Sequence, residues 1–252
     1  MKLKKIIAAA LASMLLLSAC GSTPADTPEN SASVTETVSE ESVNQTQENT
    51  STQQEPAPKE EAPVLEPVDL TFGSGNYTAG IDFPAGKYDL IAISGGGNVS
   101  SDNMYDGGIN AIMGVASDPT FADMYEKEYQ NIKLPEGTIL SISGVQIQML
   151  CDKPEGGVAP REQPNTETIE VGNGNFVAGE DFPAGIYNIV AVSGGGNVSS
   201  DNMYDGGINA IMGVASDPTF ADMYEKEYKN IVLSEGTTLS VDGVQLQLVP
   251  SK

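Results

Sequence analysis

The chain of 252 residues contains no histidine and no tryptophan, and its only cysteines are Cys20 and Cys151. Without an imidazole there is no Ser-His-Asp or Cys-His arrangement and no histidine metal ligand. Two cysteines are too few for a cysteine-built zinc site or a disulfide scaffold. Twelve basic residues stand against 35 acidic ones, a net charge of −23, which repels phosphate backbones and argues against a nucleic-acid partner.

The N-terminus has the pattern of an export sequence. Three lysines precede an apolar run from Ile6 to Leu17, which is too short for a bilayer core that takes about 20 helical residues but suits a signal peptide. The ending Leu17-Ser18-Ala19-Cys20 resembles the lipobox of bacterial lipoproteins. The resemblance implies cleavage of residues 1–19, a diacylglycerol on Cys20, and an anchor in the lipid bilayer at the extracytoplasmic face of the cell membrane.

A polar segment follows the cysteine. From Gly21 to Pro67 the chain holds ten acidic residues, one basic residue (Lys59) and no aromatic residue. Such a segment buries too little apolar surface to offset its conformational entropy. We therefore expect residues 20–67 to form a disordered tether that begins at the lipidated cysteine.

The rest of the chain is a duplication. Residues 71–150 align with 170–249 at a constant offset, and 60 of the 80 aligned positions are identical. A period this long indicates two complete domains rather than a solenoid. We place the first at 68–151 and the second at 167–252, joined by a Pro/Gly-rich polar linker at 152–166.

The pattern within each repeat predicts a mainly β fold: two tandem small β-sandwich domains, each with one or two short helices. In Val145–Leu150, for example, apolar and polar residues alternate, as in a half-buried strand. The further predicted elements are a turn at Asp82–Gly86, a strand at Tyr88–Ile93, a turn at Ser94–Asn98, a strand at Ile139–Ile142 and a tight turn at Ser143-Gly144.

The middle of the repeat leaves alternatives open. Gly107-Gly108 favours a short helix that runs through Met113. Asp118-Pro119 favours a helix that runs to Tyr129, with proline at its first position. Residues 125–129 also alternate as a strand would, so helix and strand remain alternatives for 118–130 and 217–229.

The repeats also carry a family resemblance. The string Ala79-Gly80-x-Asp82-Phe83-Pro84-Ala85-Gly86-x-Tyr88, followed by Gly95-x-Gly97-Asn98-Val99, resembles small extracytoplasmic domains of lipoproteins from Gram-positive bacteria such as clostridia. The later stretch from Tyr228 to Leu239 matches the same pattern, whereas the first repeat has Gln130 in place of Lys229. The resemblance implies a β-rich surface domain and supplies no activity and no catalytic residues.

One block is the same in both repeats. Residues 94–129 and 193–228 are identical over 36 positions, and all 20 differences lie outside them. Selection for a shared binding surface explains this pattern, and so does recent gene conversion. The sequence alone does not choose between the two.

The block supplies the candidate binding patch. Tyr125 and Tyr129 share one face in a helix or in a strand, because a spacing of four suits both periods. Tyrosines among carboxylates suit a sugar, a peptide or a cationic partner, although they also suit the edge of a sheet. The candidates are Asp102, Tyr105, Asp106, Tyr125 and Tyr129, with their counterparts Asp201, Tyr204, Asp205, Tyr224 and Tyr228.

Other ligand chemistries fit less well. An EF-hand that began at Asp102 would have Met104 and Met113 at its third and twelfth positions, where calcium needs oxygen ligands. The glycines at 95–97 lack the Gly-Lys-Ser/Thr of a phosphate-binding loop. We therefore expect no metal and no cofactor, and no enzyme.

These observations favour a lipid-anchored lipoprotein whose duplicated domains bind a cell-wall glycan or a surface protein. A ligand-free spacer in the cell envelope is the main alternative. A calcium-dependent surface domain and an enzyme are the others.

Replacing the lipobox cysteine tests the anchor. We expect Cys20→Ala to abolish incorporation of radiolabelled fatty acid and to release or mislocalise the protein, because the thiol is the acylated group. Labelling of Cys20→Ala at the level of the unaltered chain would contradict the assignment.

Overall fold

A computed structural model describes residues 65–116, 119–217 and 223–252. The predicted signal peptide, Cys20 and nearly all of the tether lie outside these residues. The described part is mainly β, and its twelve strands form one large mixed sheet. The strands of the first repeat are β1 (Val68–Phe72), β2 (Gly75–Thr78), β3 (Gly86–Ser101), β4 (Asn110–Gly114), β5 (Glu128–Leu134) and β6 (Ile139–Cys151). Those of the second are β7 (Ile169–Val171), β8 (Gly174–Val177), β9 (Gly185–Ser200), β10 (Asn209–Gly213), β11 (Glu227–Leu233) and β12 (Thr238–Pro250).

Two long antiparallel strands organise each repeat. The first half of β3 pairs with β5 and with the end of β6, and β6 pairs there with β1. The second half of β3 pairs with β4 and with the start of β6, and β6 pairs there with β2. Each repeat therefore has two groups of four strands that share the same two long strands. In the second repeat β9 and β12 take these places.

The buried side chains follow the period of two that strands impose. Along β3, the side chains of Tyr88, Leu90 and Val99 are fully buried, and along β6 those of Leu140 and Ile147. Each repeat has its own cluster of buried apolar residues. The predicted alternation of Val145–Leu150 is confirmed, with the glutamines less buried than their apolar neighbours.

The Asp-Phe-Pro-Ala-Gly-x-Tyr motif has a structural role. The Asp82 carboxylate accepts the Thr78 N–H at 2.7 Å and so closes the turn after β2. Phe83 is fully buried, and its ring meets that of Tyr88 edge to face with centroids 5.5 Å apart. The Tyr88 hydroxyl donates to the Pro84 carbonyl at 2.6 Å. The motif thus joins a turn to the core.

Both turns predicted at the later glycines are wrong. β3 runs through Ser94–Asn98 and β6 runs through Ser143-Gly144, although the pairing register shifts at both places. A Cβ on Gly97 would lie 1.9 Å from the Ser143 carbonyl oxygen. These glycines serve a close approach of two bent backbones rather than a chain reversal.

The helix predictions are only partly right. The short helix predicted after the glycine pair at 107–108 is wrong, because Asn110–Gly114 forms β4 with Ala111 turned inward and Ile112 outward. The helix predicted from 118 to 129 is reduced to a six-residue 3₁₀ helix, Pro119–Met124, and β5 begins at Glu128. In the second repeat, residues 218–222 lie outside the described part.

The linker is held against both repeats. The Glu155 N–H donates to the Ala85 carbonyl at 2.7 Å, and Arg161 forms an ion pair with Asp82 at 2.5 Å. Farther along, the Asn165 side chain donates to the second repeat. At the junction β2 and β11 lie parallel, and the described residues form one compact unit.

A substitution at the close approach tests its importance. We expect Gly97→Ala to lower the free energy of unfolding by about 1–3 kcal/mol or more, because the new Cβ meets backbone that cannot swing away. Thermal and urea unfolding measure the change. Gly73→Ala is the matched control, since a Cβ there meets nothing within 4 Å. Equal stability of the two variants would contradict this account of the fold.

Candidate functional site

The loop between β3 and β4 is fastened from several sides. The Asn103 side chain donates to the Lys133 carbonyl at 2.9 Å, and the Lys133 N–H donates to the Gly107 carbonyl at 2.9 Å. Within the loop, the Asp106 N–H donates to the Asn103 carbonyl at 2.8 Å. The Asn202 side chain makes the same bond to Val232 in the second repeat. The loop is therefore tied to β5 in the first repeat and to β11 in the second.

This fastened loop presents a tyrosine to solvent. Tyr105 is 94% exposed, and Tyr204 in the second repeat is exposed to the same extent. The predicted loop carboxylates Asp102 and Asp106 are exposed beside it. The backbone of the loop is already held by hydrogen bonds before a ligand binds, which lowers the entropic cost of ordering the loop on binding.

Apolar side chains of the same block also face solvent. Ile112 on β4 is 58% exposed and Met124 is 63% exposed, and Ile211 and Met223 repeat these values. Ile112 lies opposite Asn98 in the β3–β4 pairing. The hairpin that carries the loop thus has an outer surface of mixed apolar and amide character.

Tyr125 lies elsewhere and has a packing role. A Cβ on Gly96 would lie 2.4 Å from its ring, and one on Gly114 would lie 2.8 Å from it. The ring therefore covers two paired glycines of β3 and β4, and Tyr224 covers Gly195 and Gly213 in the same way. These two tyrosines fill space that a side chain on the sheet would otherwise occupy.

Tyr129 and Tyr228 do not join the loop either. Tyr129 is half-buried on β5 and packs against the core. Tyr228 is 7% exposed, its hydroxyl lies near the Ser143 side chain of the first repeat, and burial raises its pKa. Equivalent positions thus have different surroundings in the two repeats, because only Tyr228 lies at the junction.

The expectation that Tyr125 and Tyr129 share one face is wrong. Glu126 bridges to β4 at Met113, whereas the next carbonyl, that of Lys127, accepts the Ala92 N–H of β3 at 2.9 Å. The chain crosses from one group of strands to the other between the two tyrosines. The spacing argument assumed a single regular element.

Metal and thiol chemistry gain no support from the described residues. Among them, no group of three or more acidic or cysteine side chains is placed to hold a metal ion. Cys151 is a buried free thiol, and burial raises its pKa above the ordinary value, which lowers its thiolate fraction and its reactivity.

Reasoning from sequence missed the residues that hold the site and the junction. Asn103 and Asn202 looked like parts of an acidic loop, yet their amides fasten it. Asn76, Asn230 and Arg161 gave no local pattern at all. Only a comparison of the two repeats in three dimensions shows that Asn76 and Asn230 are buried while their counterparts are exposed.

Alanine substitutions separate the two kinds of tyrosine. We expect Tyr125→Ala to lower the free energy of unfolding by about 1–2 kcal/mol, less than the loss of a fully buried aromatic ring, because the Tyr125 ring is half-buried. We expect Tyr105→Ala to change it by less than about 0.5 kcal/mol, because the ring touches mainly solvent. Urea unfolding of both variants decides the matter, and a larger loss for Tyr105→Ala would overturn the assignment.

The described residues contain no helix with the length and apolar character needed to cross a bilayer. No protein-family model, no curated protein and no solved structure matches the chain.

Proposed function

We propose that the protein is a lipid-anchored, extracytoplasmic binding protein whose two repeats present the same surface to a partner at the cell envelope. One observation carries this proposal: the identical block lies mostly on the surface, whereas outside the block most of the differences between the repeats lie at positions that are not buried. The buried residues of the block in the first repeat are Val99, Ser101, Ile109, Ala111, Met113 and Gly114, counted over its described positions.

The differences between the repeats include the centre of the core. Leu90 is replaced by Ile189, Ile147 by Leu246 and Met149 by Leu248, and every one of these side chains is buried. Swaps of similar volume cost little when the core repacks. Constraint from folding alone conserves the core and lets the surface change, as it does outside the block, where 14 of the 20 differing positions are not buried in the first repeat. Within the block the exposed positions are unchanged as well, which favours a requirement on that surface.

The chemistry of this surface suits a polar partner with apolar faces. An exposed tyrosine ring stacks on the flat face of a sugar or on an apolar side chain, and nearby amides and carboxylates supply hydrogen bonds. Two copies in one chain add avidity, which raises apparent affinity by about 10²–10⁴ when both sites engage together. We favour a cell-wall glycan as the partner, with a surface protein as the alternative.

The anchor and the domain organisation belong to the same proposal. Cys20 and the acidic tether suit a protein held at some distance from the bilayer. We also propose that each repeat is a small β-sandwich domain, supported by its separate core and its two groups of strands. The two cores have different side chains at some positions, but they consist largely of residues at corresponding positions of the two repeats.

Removal of the exposed rings tests the binding function. We expect Tyr105→Ala combined with Tyr204→Ala to abolish retention on isolated cell wall, and each single substitution to weaken it by at least tenfold because avidity is lost. Val158→Ala is the matched control, since Val158 is 56% exposed and lies in the linker. The thermal midpoint of each variant confirms folding.

Two results would contradict the proposal. If the unaltered protein is not retained on cell wall or by surface proteins, the ligand-free spacer is favoured. If retention is unchanged in the folded double variant, the loop is not the binding surface.

A further inference from the structure

The junction between the repeats is a specific contact. The Lys229 N–H of β11 donates to the Ser74 carbonyl beside β2 at 3.0 Å. The two backbones come so close at Gly75 that a Cβ there would lie 2.9 Å from the Lys229 carbonyl oxygen. A side chain at Gly75 would therefore separate the two strands.

Buried amides complete the junction. Asn76 is 8% exposed; its amide donates to the Gly206 carbonyl at 3.0 Å and its oxygen accepts from Ser141 at 2.8 Å. Asn230 is 7% exposed, and its amide donates to the Asp82 carboxylate at 3.2 Å. Buried polar groups of this kind are costly unless paired, and here each repeat accepts the side-chain amide N–H of the other.

The contact uses different surfaces of the two repeats. The first repeat contributes what we call the β2 face, defined by Ser74–Asn76, Asp82 and Ser143. The second contributes what we call the β11 face, defined by Gly206 and Tyr228–Asn230. A contact between two different surfaces is heterologous. Because each repeat has a version of both faces, the internal contact uses one version of each face and leaves the other version free.

The chain also carries a second version of each face, which the internal contact does not use. The counterpart of the β2 face is the β8 face of the second repeat, defined by Asn173–Asn175, Asp181 and Asp242. Among the described strands β8 pairs only with β12, and Asn175 and Asp181 are exposed. The counterpart of the β11 face is the β5 face of the first repeat, treated next.

The β5 face is defined by Gly107 and Tyr129–Asn131. Among the described strands β5 pairs only with β3. Asn131 is exposed and has φ 61°, close to the 57° of Asn230. The backbone N–H of Asn131 donates to the Asp89 carboxylate, and that of Asn230 donates to the Asn188 side-chain oxygen. Their amides are therefore presented by the same backbone conformation.

The β8 face also contains a surface depression. A depression of about 350 Å³ is lined by Asn173–Asn175, Asn197 and Ser240–Asp242. The corresponding residues of the first repeat include Ser74, whose carbonyl accepts the Lys229 N–H, and Ser143, whose side chain lies near the Tyr228 hydroxyl. The depression therefore occupies the place that β11 fills on the first repeat.

We propose that a second copy of this chain docks head to tail, with its β5 face on the β8 face of the first, as the β11 face docks on the β2 face within one chain. Six of the nine residues that define the internal contact recur: Gly174, Asn175 and Asp181 on one side, and Gly107, Tyr129 and Asn131 on the other. The other three, Ser74, Ser143 and Lys229, are replaced by Asn173, Asp242 and Gln130. The repeated contact extends into a row of molecules because it is not closed by symmetry.

Charge makes this contact weaker than the internal one. Glu180 and Asp242 replace Ile81 and Ser143 on one side. On the other, Asp89 and Asp152 replace Asn188 and Ser251, while Lys87 and Lys133 replace Ile186 and Val232. Carboxylates outnumber lysines across the pair of faces, so salt that screens them tightens the association. Crowding of copies on one surface favours it further.

Sedimentation of the mature chain, residues 20–252 with Cys20→Ser, tests the proposal. We expect association that grows with protein concentration and with salt. Asn131→Asp sets a carboxylate against Asp181 in the contact and retains a residue type that tolerates positive φ, so it lowers the association at least tenfold. Adding Asp181→Asn to that variant restores an amide–carboxylate pair and recovers the association.

A second variant tests the other face independently. Asn175→Arg places a long charged side chain in the contact and abolishes association, whereas Asn209→Arg, an exposed asparagine on β10, is the matched control and leaves it intact. A mixture of Asn131→Asp and Asn175→Arg chains stops at dimers, since each retains one working face. A chain that stays monomeric throughout, or an Asn131→Asp variant that associates normally, would overturn the proposal. Neither result bears on retention by cell wall.

Discussion

The close approach of the two long strands is the constraint on which the rest of each repeat depends. At Gly97 no side chain fits, because the facing Ser143 carbonyl occupies the place of a Cβ. The glycines let β3 and β6 bend together, and each strand then serves both groups of strands. Some core side chains differ between the repeats, such as Leu90 and Ile189, while the glycines at this close approach are all retained.

The same glycines prepare the surface of the molecule. Gly96 and Gly114 leave a bare strip of sheet that the Tyr125 ring covers, so this tyrosine belongs to the structure of the hairpin. Tyr105, by contrast, stands on a loop whose backbone and amide groups are tied to the neighbouring strand. Residues that look alike in the sequence thus divide into those that build the surface and those that a partner can reach.

Local patterns predicted the β character and the alternation of β6, because apolar and polar residues alternate along a strand that is buried on one face. They failed at Ser94–Asn98 and Ser143-Gly144, since glycine serves a turn and a close approach equally well and only the facing strand distinguishes them. They failed at Tyr125 and Tyr129 because the chain changes strands between the two. The junction could not be predicted from the sequence for a similar reason: Asn76 and Asn230 are buried by contacts with residues far away in the sequence.

The pairing of the first and last strands of each repeat has a mechanical consequence. Val68 lies opposite Cys151, and Ile169 lies opposite Leu248, so the chain enters and leaves a repeat at the same end. A unit with adjacent ends is readily duplicated within a chain without strain. It also yields readily to tension: a pull between Val68 and the linker breaks the hydrogen bonds of β1 and β6 one after another instead of loading all of them together.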